Sequence, residues 1–119
     1  MKGIAAVILL LGTSILASDL TGKWSGTFQA KGAEHSIPQL IVLKQQGATL
    51  SGSAGPDAGE QYPIENGRVD HNNARFQVTT GEWKFTYTLT LVNDSLSGNL
   101  KLESTTESRT ATITLTRVK

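Results

Sequence analysis

Few side chains of this 119-residue sequence are of a type that carries out chemistry. The two histidines are His35, beside Glu34, and His71, next to Asp70. A metal site or a general base needs further ligands or an activated nucleophile within reach of the imidazole. The sequence identifies no third partner for either histidine. We therefore interpret both as solvated turn residues and expect no metal site and no cofactor.

Three carboxylates are the next candidates, because a pair of acidic side chains can hydrolyse a glycosidic bond. Glu65 is expected to face Arg68 across a hairpin as a surface ion pair. Asp57 and Glu60 lie in or beside residues 55–59, whose glycines and proline are typical of a turn. The sequence has no nucleophile-elbow, zinc-protease or phosphate-loop motif. We therefore expect a protein that is not an enzyme and has no catalytic residues.

The elements that position these side chains are predicted to be β-strands, because apolar and polar residues alternate along most of the chain. The clearest strand covers residues 83–92. Its apolar face consists of Trp83, Phe85, Tyr87, Leu89 and Leu91. Its other face carries Lys84 and the threonines at 86, 88 and 90. One apolar and one polar face indicate an antiparallel sheet.

Five two-residue turns are predicted from residues that favour tight corners: Gln46-Gly47, Asn66-Gly67, Asn72-Asn73, Gly81-Glu82 and Asn93-Asp94. Each turn fixes a register, since a slip of one residue moves every apolar side chain to the other face. The predicted apolar pairs are Leu43 with Leu50, Ile64 with Val69, Val69 with Phe76, Val78 with Phe85, Phe76 with Tyr87, Leu91 with Leu96, Tyr87 with Leu100, and Phe85 with Leu102. This agreement between turns and pattern predicts a sequential meander.

The predicted strands lie between residues 21 and 118, and in a flat sheet they would leave two open edges. Closure removes these edges. The predicted fold class is therefore all-β, an antiparallel up-and-down meander of eight or nine strands closed into a small barrel. A two-sheet β-sandwich is the alternative.

Residues 1–17 have the three regions of a secretory signal peptide: the basic Lys2, an apolar run over residues 4–11, and Ala17 at the cleavage position. The run is too short for a membrane span. Cleavage after Ala17 leaves residues 18–119 as one domain that is secreted or periplasmic. That domain has no cysteine, and its 10 basic residues (11 minus Lys2) balance 10 acidic ones. A net charge of zero gives no indication of a nucleic-acid partner, and no feature indicates an oligomeric state.

The two ends of the predicted domain resemble a known group of barrels. Gly22 and Trp24 form the Gly-x-Trp opening of the lipocalin, avidin and fatty-acid-binding superfamily, the calycins. The resemblance implies that Trp24 closes one barrel end and that Arg117, on the last strand, packs on it. The ends are most similar to small exported bacterial lipocalin-like domains, which mostly have no assigned function. The residues after Trp24 differ from the asparagine and serine with which avidins bind biotin, so biotin binding is not expected.

Six aromatic side chains are predicted to point into the barrel and form a tentative ligand-binding set: Trp24, Phe28, Phe76, Trp83, Phe85 and Tyr87. A barrel of eight strands is just wide enough to be filled by side chains or to hold one small ligand. A packed core and a ligand cavity both remain open. The lining of a cavity would be apolar, which favours a lipid-like or aromatic ligand. The predicted function is a non-catalytic binding module for a small apolar molecule.

The alternative function is a protein-interaction module, such as an exported protease or lysozyme inhibitor or an accessory domain. Leu40 and Val42 are predicted to face outward on the second strand, beside loops at residues 32–37 and 55–60. Known small periplasmic barrels that begin with a Gly-x-Trp strand include protease inhibitors. The partner is then an exported protein rather than a small molecule.

Overall fold

The computed structural model describes residues 19–119. The signal peptide predicted for residues 1–17 lies outside the described residues. The strands are β1 (Gly22–Ala30), β2 (Ile37–Gln46), β3 (Thr49–Asp57), β4 (Glu60–Pro63), β5 (Glu65–Asp70), β6 (Asn73–Thr80), β7 (Trp83–Val92), β8 (Ser95–Glu103) and β9 (Ser108–Arg117). Nothing between residues 19 and 119 forms a helix of the length and hydrophobicity that a membrane crossing requires.

Eight of the strands close into an antiparallel barrel. Hydrogen-bonded neighbours follow the order β2, β1, β9, β8, β7, β6, β5, β3, and pairing of β2 with β3 completes the ring. The short strand β4 pairs with β3 and lies outside the ring of eight. The predicted all-β barrel is confirmed. The two-sheet sandwich is excluded, because the pairing runs around the whole circumference.

The strand β7 has the register predicted from its two flanking turns. Across the Gly81-Glu82 turn, Val78 pairs with Phe85. Across the Asn93-Asp94 turn, Phe85 pairs with Leu102. The remaining pairs predicted for these two hairpins are also present, namely Phe76 with Tyr87, Leu91 with Leu96, and Tyr87 with Leu100. Alternation therefore places the apolar face of β7 toward the core.

The predicted hairpin at Asn66-Gly67 is wrong. Both residues lie inside β5, and Asn66 has a left-handed backbone with φ of 54°. The register between β5 and β6 shifts between Glu65 and Arg68, which identifies a β-bulge. Asparagine followed by glycine suits a left-handed bulge as well as a two-residue turn, because both need positive φ. Glu65 accordingly pairs with Gln77 rather than with Arg68.

The pairing of Ile64 with Val69 fails for the same reason. Val69 lies opposite Ala74, and the Ile64 N–H donates to the Gly52 carbonyl oxygen of β3. The segment from β4 to the middle of β5 therefore borders β3, and β5 lies between β3 and β6. The extra strand β4 thus interrupts the sequential meander between β3 and β5.

Two further turns lie one residue from their predicted positions. Gln46 pairs with Thr49, which sets Leu43 opposite Gly52 instead of Leu50. Asp70 pairs with Asn73, which leaves Val69 opposite Ala74 instead of Phe76. Each error moves the partner strand by two residues. The inward and outward faces are unchanged, because side chains alternate with a period of two.

A continuous apolar core fills most of the barrel. Its fully buried large side chains are Trp24, Phe76, Leu20, Ile41, Leu43, Leu89, Leu96, Leu100, Ile113 and Leu115. The rings of Phe76 and Tyr87 are stacked, with centroids 4.6 Å apart. Gly26 lies on the inward side of β1, where an added Cβ would overlap the Thr114 carbonyl oxygen of β9. The missing side chain lets β1 and β9 coil closely around the core.

Candidate functional site

One end of the barrel is sealed by Trp24 and Arg117. The Trp24 side chain is 0% exposed, and its Nε1–H donates to the Leu20 carbonyl oxygen over 3.0 Å. The Arg117 guanidinium carbon lies 4.4 Å from the centroid of the Trp24 ring. A cation over the face of an indole is attracted by the quadrupole of the ring. The contact therefore adds an electrostatic attraction to the packing of this end.

The Arg117 guanidinium also ties together the chain segments around it. It donates to the carbonyl oxygens of Thr21 at 3.0 Å and Asp19 at 3.2 Å. Its Nε lies 3.3 Å from a carboxylate oxygen of Asp94. Gly22 has φ of 139°, and an added Cβ there would stand 3.3 Å from Arg117 Nη1. The residues that the calycin resemblance names thus meet in one sealed, structural cluster.

The opposite end of the barrel holds an open pocket of about 190 Å³, called here the mouth pocket. Burial increases from its rim to its floor. Ile37 at the rim is 45% exposed, whereas Tyr87 at the floor is 2% exposed. The lining residues are Phe28, Ile37, Gln39, Ala54, Gly55, Pro56, Glu60, Tyr62, Val78, Thr80, Phe85 and Tyr87. Apolar walls with a few polar groups are typical of a small-molecule site.

Two larger hollows on the outer surface lack this character. One, of about 320 Å³, lies beside Lys31 and Thr110, and the other, of about 560 Å³, lies beside Asp94 and Lys119. Most of the side chains that line them are exposed. A shallow surface hollow buries little of a ligand, so the mouth pocket is the better candidate despite its smaller volume.

A buried polar pair forms the floor of the mouth pocket. The Tyr87 hydroxyl donates to Gln39 Oε1 over 2.7 Å, and Gln39 is only 7% exposed. Burial raises the pKa of the Tyr87 phenol well above its ordinary value. Tyr87 therefore stays protonated at physiological pH and remains the donor in this hydrogen bond.

The rim of the pocket carries a single charge among the described lining residues. That charge is Glu60, whose carboxylate accepts a hydrogen bond from the Tyr62 hydroxyl. This bond to an anion raises the pKa of the Tyr62 phenol. Both side chains belong to β4, so the strand outside the ring supplies one wall of the mouth.

The structure divides the six predicted ligand-binding aromatics into separate groups. Phe28, Phe85 and Tyr87 come together in the mouth pocket. Trp24 and Phe76 are 0% exposed and belong to the packed core below it. The remaining aromatic, Trp83, is half-buried at the start of β7 and does not line the pocket.

Gln39 was not among the residues predicted from the sequence to bind a ligand. The alternation along β2 nevertheless places Gln39 on the inward face, together with Ile41 and Leu43. A polar side chain at a core position is uncommon unless it has a hydrogen-bonding partner. The wall residues Tyr62 and Val78 were also not selected, because the position of β4 cannot be read from alternation.

The residues considered for catalysis or metal binding are dispersed. His71 lies in an exposed turn with Nδ1 2.7 Å from Asp70 Oδ1, and His35 is exposed in the loop before β2. Asp57 Oδ1 accepts the backbone N–H groups of residues 59 and 60, and Glu65 accepts from the Thr79 hydroxyl. Between residues 19 and 119, no three histidine, cysteine or acidic side chains are grouped as metal ligands.

Comparisons with protein-family models, curated proteins and solved structures give no match for this chain. The closed eight-stranded antiparallel barrel is consistent with a lipocalin-like fold.

Proposed function

We propose that the protein is an exported, non-catalytic binding module that holds one small apolar molecule in the mouth of a lipocalin-like barrel. The observation that carries this proposal is the mouth pocket, where Phe28, Val78 and Phe85 surround a buried polar floor. Burial of apolar ligand surface against such walls supplies the affinity.

The packed core limits where the ligand binds. Trp24 and Phe76 are fully buried below the pocket, so the ligand occupies the mouth rather than the whole barrel. An engineered cavity of about 150 Å³ in another protein takes up benzene. A pocket of about 190 Å³ suits a molecule of one aromatic ring better than a long acyl chain.

Ligand titration with a blocking variant tests this function. Thr80 lines the pocket, so Thr80→Trp places an indole in the mouth. Thr88→Trp is the matched control, because Thr88 is exposed on the outer face of β7. We expect single-ring aromatic compounds to raise the melting temperature of wild type and the control, but not that of Thr80→Trp. Equal responses in all three proteins, or no response in wild type to any compound, would contradict the proposal.

A second candidate function is binding to an exported protein such as a protease or lysozyme. It is supported by β2, where Leu40 and Val42 face outward and are half-buried. Inhibition assays with purified lysozymes and proteases test it directly. A variant with both Leu40→Lys and Val42→Lys should then lose inhibition while it still responds to aromatic compounds. Absence of inhibition by wild type across both enzyme classes would count against this function.

A further inference from the structure

The Gln39 amide has hydrogen-bonding capacity that residues 19–119 leave unused. Its Oε1 accepts from Tyr87, whereas Nε2 carries two N–H groups. Among the described residues, Nε2 donates only to the neighbouring Pro38 carbonyl oxygen, and that distance is 3.5 Å. Amide hydrogen bonds are usually about 2.7–3.2 Å long, so this contact is weak. A buried donor at the pocket floor is therefore available to a ligand.

The orientation of this amide follows from its neighbours. The opposite orientation would set Oε1 against the Pro38 carbonyl oxygen, which brings two acceptors together. It would also turn Nε2 toward the Tyr87 hydroxyl, which would then accept a hydrogen bond from Gln39 instead of donating one. The observed orientation satisfies the phenol and leaves an N–H, rather than a carbonyl oxygen, for the ligand.

The charges around the pocket disfavour an anionic ligand. Glu60 at the rim repels a carboxylate, and the Gln39–Tyr87 pair is neutral. An ionised group buried without a partner of opposite charge loses a large hydration free energy. The polar group that reaches the floor should therefore be an uncharged acceptor.

We infer that the mouth pocket selects a single-ring aromatic molecule with an uncharged acceptor, such as a carbonyl oxygen, which accepts a hydrogen bond from Gln39 Nε2. This inference rests on the proposed function and specifies its ligand class. The ring lies among Phe28, Val78 and Phe85, while the acceptor reaches the floor. Hydrogen bonding to the buried amide then provides selectivity, and apolar contact provides most of the affinity.

Three probes of similar shape test the inference in the wild-type protein. Acetophenone has a carbonyl group, α-methylstyrene replaces that oxygen with a methylene group, and benzoate carries a charge. A net gain from one neutral hydrogen bond corresponds to about fivefold in affinity. Titrations followed by NMR should therefore show acetophenone binding about fivefold tighter than α-methylstyrene, and benzoate binding most weakly.

A double variant, Gln39→Leu with Tyr87→Phe, removes both members of the polar pair together. Removing both partners avoids leaving one buried group unsatisfied. The affinity ratio of acetophenone to α-methylstyrene should fall below one in this variant, because the buried carbonyl oxygen of acetophenone then has no donor. Thr88→Val on the outer face should keep the wild-type ratio. If the double variant does not fold, the Gln39 side-chain amide resonances of wild type provide the second measurement. They should shift with acetophenone and shift far less with α-methylstyrene.

The outcomes separate this inference from the proposed function. Equal affinity of wild type for acetophenone and α-methylstyrene overturns the role of Gln39 and leaves the binding function standing. A double variant that folds and keeps the wild-type ratio also overturns it. No binding of either compound overturns both the inference and the proposed function.

Discussion

Replacement of Trp24 tests the sealed end of the barrel. The ring is 0% exposed and donates a buried hydrogen bond to the Leu20 carbonyl oxygen. Truncating a buried tryptophan to alanine costs about 3–5 kcal/mol through lost burial and the cavity that remains. In addition, Trp24→Ala leaves the Leu20 carbonyl oxygen without its donor and removes the contact with Arg117. The loss in free energy of unfolding should therefore lie in the upper part of that range, at about 4–5 kcal/mol.

Equilibrium unfolding in urea, followed by far-ultraviolet circular dichroism, measures this loss. A domain of this size has a free energy of unfolding of about 5–15 kcal/mol, so the variant keeps a folded baseline unless the wild-type value lies at the lower end of that range. Trp83→Ala is the matched control, because the half-buried Trp83 ring contributes less burial. We expect the control to lose less than half as much stability as Trp24→Ala. A loss below about 1 kcal/mol for Trp24→Ala, or equal losses for both variants, would refute the reasoning.

Two further predictions concern strand packing and pH. Gly26→Ala should lower the free energy of unfolding by about 1–3 kcal/mol, because the added Cβ overlaps the backbone of β9. Gly59→Ala is the control and should change the free energy of unfolding little. Equal urea midpoints for the two variants would contradict this prediction. Hydrogen bonds from Lys119 and Arg117 lower the pKa of Asp94, so the stabilisation by its carboxylate is present above about pH 4 and is lost as pH falls through the lowered pKa. Melting temperatures of wild type and Asp94→Asn should therefore differ at pH 7 and converge at low pH. A difference that stays constant with pH would show that ionisation of Asp94 does not stabilise the fold.

The barrel could be predicted from the sequence where two signals agree. Along β7, alternation of apolar residues and the flanking turns at Gly81-Glu82 and Asn93-Asp94 require the same register. A slip of one residue would expose Phe85 or Leu89 to water. Because burial of these side chains outweighs any local preference, the three central strands follow from the pattern.

The register was less predictable where a turn could move without exposing the core. Shifting the Gln46-Gly47 turn by one residue moves the partner strand by two, so the same residues stay inside. Only local backbone preferences then distinguish the two registers. Gly47 has a left-handed backbone with φ of 63°, and the observed register makes it the first residue of the turn, where glycine is favoured. Asn66-Gly67 shows the same ambiguity, since positive φ suits either a turn or a bulge.

The candidate site could be predicted only in part. The inward aromatics Phe28, Phe85 and Tyr87 follow from alternation, and all three line the pocket. Their separation from Trp24 and Phe76 depends on how side chains from different strands fill the barrel. Sequence periodicity gives the face of a residue but not its depth along the barrel, and depth decides whether an aromatic side chain meets a ligand or the core.

The contacts of Arg117 have a practical consequence for handling the protein. Its bond to the Asp19 carbonyl, together with the bond from the Val118 N–H to the Lys23 carbonyl oxygen, brings residues 19 and 118 to the sealed end. An immobilisation tag attached after Lys119 would therefore hold the molecule by the end opposite the mouth pocket. Ligands could be delivered to a surface-anchored sample without obstruction, and residues 19 and 119 could be joined by a short linker to make a circular chain.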